Sequence, residues 1–134
     1  MAEIELTRTG PGTFQASNGR GATISMGDPD SGLFTPVELL LAAVAGCAGV
    51  DVDVATSRHA EPTAFTITSV GEKATNGEHI LTKIVVRFHT EFPQGAGGDR
   101  ARVILPRAIT ASHDRQCTVG RTVETGAPID MAVG

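Results

Sequence analysis

The chemistry available to this chain rests on two thiols. Cys47 lies near the end of the longest uncharged stretch, residues 39–50, and Cys117, the only other cysteine, follows seventy positions later. A thiol in apolar surroundings is ordinarily an inert small hydrophobe. Given a charged partner and a second thiol within reach, it becomes an oxidisable nucleophile. Cys117 follows His113-Asp114-Arg115-Gln116 and precedes Arg121, cations that favour a thiolate. Two charged residues are further candidates. Arg20 stands between Gly19 and Gly21, a flexible setting that can deliver a guanidinium to a site or serve as an ordinary solvated turn. Glu38 lies three residues after Thr35 and therefore also reads as the second half of a helix-capping box.

Other chemistries find less support. His113 and Cys117 have a spacing that could hold a metal, but a zinc site needs about four ligands and His59, His79 and His89 show no paired spacing. No phosphate-binding loop of the G-x-x-x-x-G-K-[ST] type and no G-x-S-x-G nucleophile elbow occurs, and Gly95-Ala96-Gly97-Gly98 reads as a flexible loop. No metal or other cofactor is expected. The net charge of −4, the absence of Trp and Tyr and the five Phe argue against a nucleic-acid partner, which needs clustered Lys/Arg and aromatic platforms. No segment is read as reaching the roughly 18 to 20 apolar residues that span a bilayer, and the first residues lack the basic-then-apolar order of a secretion signal. The expectation is a soluble cytoplasmic protein, where paired cysteines are redox-active or free more often than structural.

The elements that must position these residues follow from periodicity. The 134 residues, 40% of them hydrophobic, suit a single domain over 1–134. Residues 3–9 alternate apolar and polar, Gly10-Pro11-Gly12 turns into a strand at 13–16, and a third strand follows at 22–26. Thr35 as N-cap, Pro36 at the first helical position and Glu38 as capping-box partner start a helix running from Pro36 to about Ser57. Residues 39–50 are apolar all round, so this helix is expected to be buried on nearly every side. A domain this small has difficulty enclosing it, and small residues at 42, 43 and 45–49 would let another backbone approach, which points to a second subunit. A strand at 65–68, a turn at Asn76-Gly77 and a long strand at 80–92 come next. Asp99 caps a second helix that ends near His113, where Pro106 kinks it or starts a new segment. Ile129, Met131 and Val133 alternate as a closing strand. The order is α+β: an antiparallel sheet with two main helices.

The block Thr35-Pro36-Val37-Glu38-Leu39-Leu40-Leu41-Ala42-Ala43-Val44-Ala45-Gly46-Cys47, with the later Gln116-Cys117-Thr118-Val119, closely resembles the OsmC/Ohr family of osmotically inducible and organic-hydroperoxide-resistance proteins. The resemblance covers most of the chain. It implies an OsmC-like fold, an intertwined homodimer with the cysteine-bearing helices at its centre, and a thiol peroxidase. In such proteins the first cysteine, here Cys47, attacks the peroxide O–O bond and becomes a sulfenic acid. The second, here Cys117, condenses with it to a disulfide that an external dithiol reduces. An arginine from the N-terminal strands, for which Arg20 is the nearest candidate, stabilises the thiolate, and a glutamate at the helix start orients it. The hydroperoxide-resistance members carry that glutamate directly after the proline, where this chain has Val37, and the carboxylate one residue on at Glu38 is turned by about 100° around the helix. Apolar walls around Cys47 favour alkyl or fatty-acid peroxides. The alternative function is a non-enzymatic dimer of the same fold that binds an apolar small molecule.

Overall fold

A computed structural model describes residues 2–134. The chain divides into two compact units, the first ending at Leu40 and the second formed by Leu41–Gly134.

The first unit holds a three-stranded antiparallel meander, β1 (Glu5–Gly10), β2 (Thr13–Ser17) and β3 (Thr23–Gly27), in the order β1-β2-β3. Leu6, Ala16 and Ile24 lie opposite one another across it, and Phe14 faces Met26, so these five share one face. Leu6, Phe14 and Ile24 nonetheless keep more than a third of their surface exposed. Asp28 caps a short 3-10 turn at Pro29–Ser31, accepting from the Asp30 N–H. Helix α1 (Pro36–Ser57) then begins at the position the cap predicts. The Thr35 N–H donates to Glu38 Oε1 at 2.8 Å and the Glu38 N–H to Thr35 Oγ1 at 3.2 Å, both halves of the capping box.

Most of α1 belongs to the second unit, where its buried residues are Ala45, Gly49, Val52 and Thr56. Spacings of four, three and four put them in a single stripe. The expectation of a helix buried all round is therefore corrected for the chain by itself: Val50 is 65% exposed and Val54 50%. The stripe lies on a two-stranded antiparallel sheet of β4 (Ala64–Lys73) and β5 (Leu81–Glu91). A Cβ added at Gly49 would stand 2.6 Å from Ile67 Cδ1, and one at Gly71 would stand 3.3 Å from Leu41 Cδ2, so glycine on each element lets helix and sheet approach closely. Phe65, Ile67 and Ser69 of β4 and Ile84, Val86 and Phe88 of β5 point inward, the alternation the sequence predicts, with Phe65 and Phe88 edge to face at 6.1 Å. By length and composition alone α1 is long and apolar enough to cross a membrane, a test that the core helix of a soluble protein also passes, which corrects the expectation that no segment reaches that length. Asp51 and Asp53 interrupt the apolar run, yet the surrounding Val and Ala keep the mean hydropathy high.

Helix α2 (Ala96–Ala111) starts earlier than the Asp99 cap suggests. Asp99 sits in its first turn and accepts from Arg102 Nη2 at 2.6 Å, while the same guanidinium donates to the Phe92 carbonyl at 3.0 Å. A Cβ at Gly98 would fall 1.7 Å from the Pro93 oxygen, so the glycines read as loop are what lets the helix begin against that backbone. Pro106 is accommodated inside α2 and starts no new segment. Beyond it the chain departs from expectation. A π turn over Ser112–Gln116 leads into α3 (Thr118–Thr125), which ends at Gly126 in the left-handed region, φ 72°. The closing strand is not formed. Residues 127–134 have no regular structure, with Ile129, Met131 and Val133 79%, 91% and 101% exposed. An alternating segment becomes a strand only where an open sheet edge pairs with it, and among the described residues none does.

Candidate active site

Both thiols belong to the second unit and both are free. Cys47 occupies the middle of α1 and is half-buried; Cys117 is 3% exposed. Cys117 owes its burial to the π turn, in which its N–H donates to the Ser112 carbonyl at 2.8 Å. It is then the N-cap of α3: Cys117 Sγ accepts from the Gly120 N–H at 3.2 Å, and its carbonyl accepts from the Arg121 N–H at 3.0 Å. The sulfur thus stands in the position a serine or threonine oxygen takes in an ordinary cap.

The Cys117 thiol lies within interaction range of Cys47. Burial is the main reason its pKa is pushed above the ordinary thiol value, and the proximity of Cys47 and the negative charge of Asp51 push the same way. The Gly120 N–H opposes them without prevailing. At neutral pH Cys117 is therefore held as a thiol. Arg121, one of the cations expected to favour a thiolate there, does something else: its Nη1 donates to the Asp114 carbonyl and braces the π turn. His113 is exposed, with Nδ1 2.8 Å from Asp114 Oδ1 and Nε2 3.1 Å from Glu124 Oε1. The hydrogen bond to Asp114 is the leading cause that raises its pKa. These contacts link the π turn to α3.

Arg20 and Glu38 are elements of the first unit. Gly19 and Gly21, with φ of 76° and 98°, put Arg20 at the tip of the β2–β3 turn, where its N–H donates to Asn18 Oδ1 at 2.8 Å. Its side chain is solvent-exposed and forms no ion pair with Glu38 among the described residues. Glu38 closes the capping box through Oε1. The geometry thus brings Cys47 and Cys117 together and leaves Arg20 and Glu38 unpaired with each other.

Two further polar residues, Asp51 and Ser112, stand near the thiols. Asp51 lies one turn beyond Cys47 on α1, and its Oδ2 accepts from Ser112 Oγ at 2.8 Å. A carboxylate on an otherwise apolar helix face was the signal available for it. Nothing in the sequence singles out Ser112.

Comparison with known proteins agrees with this architecture. The family described as "OsmC-like protein" matches residues 27–132. Uncharacterized proteins of Mycobacterium bovis and Mycobacterium tuberculosis are 26% identical over 134 residues, covering 99% of this chain and 96% of theirs. Among solved structures, a hypothetical protein from Aquifex aeolicus superposes with a TM-score of 0.75 at 22% identity, covering 94% of this chain and 89% of that one. An OsmC-like protein from Mycoplasma pneumoniae gives 0.70 at 15% identity with the same coverage. At these identities the structural matches speak for the fold.

Proposed function

Since this chain belongs to the OsmC-like family, we propose that it is a cysteine-dependent peroxidase that reduces organic hydroperoxides in oxidative-stress defence. One observation supports the reading: two free thiols lie within interaction range, one half-buried and one buried with its pKa raised. That asymmetry suits a division of labour. The accessible Cys47 thiolate attacks the distal peroxide oxygen, the O–O bond breaks, and the alkoxide leaves and is protonated to the alcohol. Cys117, shielded from peroxide, meets the Cys47 sulfenic acid, and an external dithiol reduces the resulting disulfide. Arg20 is the proposed thiolate-stabilising cation and Glu38 its proposed orienting carboxylate.

The working form is proposed to be a homodimer in the cytoplasm. Three observations support a second copy as the cover: the uncovered face of α1, the half-exposed apolar face of the β1–β3 sheet, and the apolar tail 127–134. Val37, where hydroperoxide-resistance proteins have glutamate, favours a second reading in which the same dimer binds an apolar small molecule and the thiols are incidental.

Peroxide consumption by wild type, Cys47→Ser and Cys117→Ser separates the two. The wild type should form a Cys47–Cys117 disulfide with stoichiometric alkyl hydroperoxide. Cys117→Ser should accumulate a trappable sulfenic acid at Cys47, and Cys47→Ser should consume almost no peroxide. Mass spectra of peroxide-treated wild type with both cysteines reduced would select the ligand-binding reading.

A further inference from the structure

Asp51 and Cys47, four residues apart on α1, share a face of the helix. Asp51 Oδ2 accepts the Ser112 hydroxyl at 2.8 Å, and Ser112 has no exposed surface. A serine at a helix end commonly returns its hydroxyl to a carbonyl of the preceding turn. Ser112 instead reaches across to α1, while its own carbonyl holds the Cys117 N–H. The carboxylate therefore grips the first residue of the π turn, and the π turn's closing hydrogen bond holds Cys117. This side-chain hydrogen bond joins α1 to the segment Ser112–Cys117.

We propose that Asp51 is a positioning residue for disulfide closure: through Ser112 it pins the π turn to α1 and keeps the Cys117 sulfur against Cys47. The inference takes its chemical setting from the peroxidase reading above. In the step it serves, the organic hydroperoxide has already oxidised Cys47 to the sulfenic acid. Cys117 sulfur attacks the Cys47 sulfur, an S–S bond forms and the S–OH bond breaks, and the hydroxide leaves with the Cys117 proton as water. The sulfenyl sulfur is reduced and the Cys117 sulfur oxidised, so the electrons balance within the pair. In-line attack needs the two sulfurs held in register, and a hinge released from α1 would let Cys117 sample positions from which no disulfide closes. The Asp51 charge has a second effect, since it adds to the rise in the Cys117 pKa that burial causes.

The test is the equilibrium between the full-length dithiol and oxidised glutathione, which reports closure without using peroxide. Removing a buried hydrogen bond to a charged acceptor should lower the effective concentration of the thiol pair about ten- to a hundredfold in Asp51→Ala and in Ser112→Ala. Asp51→Asn, whose amide oxygen accepts the same bond, should stay close to wild type. The double Asp51→Ala/Ser112→Ala variant should fall no further than the worse single variant, because both remove one bond. A role in general stability alone would lower the urea midpoint of Asp51→Ala and leave its effective concentration at the wild-type value. In a Cys47→Ser background, Asp51→Asn should also shift the alkylation of Cys117 to lower pH, a consequence of charge that no packing role produces. Wild-type closure by Asp51→Ala, or additive losses in the double variant, would overturn the proposal. Should Asp51→Ala fail to fold, wild-type closure by Ser112→Ala overturns it equally. A wild type that closes with glutathione yet ignores hydroperoxide removes the peroxidase reading and leaves the positioning role standing.

Discussion

Two glycines three residues apart on α1 give opposite expectations for the same substitution. Alanine in a helix interior is favoured over glycine by about 1 kcal/mol, because glycine loses more backbone freedom on folding. At Gly46 an added Cβ meets nothing within 4 Å, so Gly46→Ala should retain the whole gain. For a domain of this size that is a rise in Tm of about 4 °C. At Gly49 the added Cβ stands 2.6 Å from Ile67 Cδ1, about 1 Å inside ordinary contact. The Ile67 terminus can rotate, but only into a poorer rotamer or by parting helix and sheet, and overpacking of this kind costs about 1–3 kcal/mol. The helix gain offsets part of that, leaving Gly49→Ala about 1 kcal/mol less stable than wild type and about 2 kcal/mol below Gly46→Ala. Urea unfolding of the three proteins at equal concentration, with the m-value checked for constancy, measures the difference. Equal stabilisation by both substitutions would refute the placement of Gly49 on Ile67. A loss at Gly46 would show that something covers a face the single chain leaves open, as the proposed second copy does.

Thr35→Ala removes one half of the capping box and should cost about 1 kcal/mol in urea unfolding, with Glu38→Ala costing no more and the double variant less than the sum. Ala43 is exposed on the single chain, so Ala43→Glu should leave an isolated fold intact; in the proposed dimer each copy would bury an unpaired carboxylate, and sedimentation should show monomer or loss of folded protein. Because folding raises the Cys117 pKa, the folded state favours the thiol: stability from this group is present below the ordinary thiol value and is lost as pH rises through the folded one, which alkylation of Cys47→Ser across pH reads directly. His113 behaves likewise at lower pH. Its contribution is present below its ordinary value near 6.5 and fades through the raised one, so His113→Gln should weaken the fold slightly in mild acid and hardly at all above that range.

What the sequence determined by itself is local. The capping box and Pro36 set the start of α1, because caps act within four residues of chain. The period of two in β4 and β5 shows which side chains turn inward, because the pleat imposes it wherever one face is covered. The block ending at Cys47 was enough to recognise the family, and Cys117 could be named from its place after the second helix. Helix α3 was not read because Thr118-Val119-Gly120-Arg121-Thr122-Val123 is rich in β-branched residues of low helix propensity, and its N-cap is a cysteine. Gly126 was its one clear stop signal. The early start of α2 was hidden because Gly97 and Gly98 read as loop until the backbone they approach is known.

Only the tertiary structure decided the chemistry of the pair. The sequence places cations on both sides of Cys117 and so suggests a thiolate there. Folding commits Arg121 to a carbonyl of the π turn, encloses the sulfur, and brings Cys47 and Asp51 within range of it, so that burial and negative charge outweigh the Gly120 N–H and raise its pKa. Ser112 acquires its meaning the same way. A hydroxyl sixty-one residues from Asp51 becomes its partner only when α1 and the end of α2 are packed together. Desolvation and long-range pairing depend on which atoms exclude water from which, a property of the folded chain that no spacing along it records.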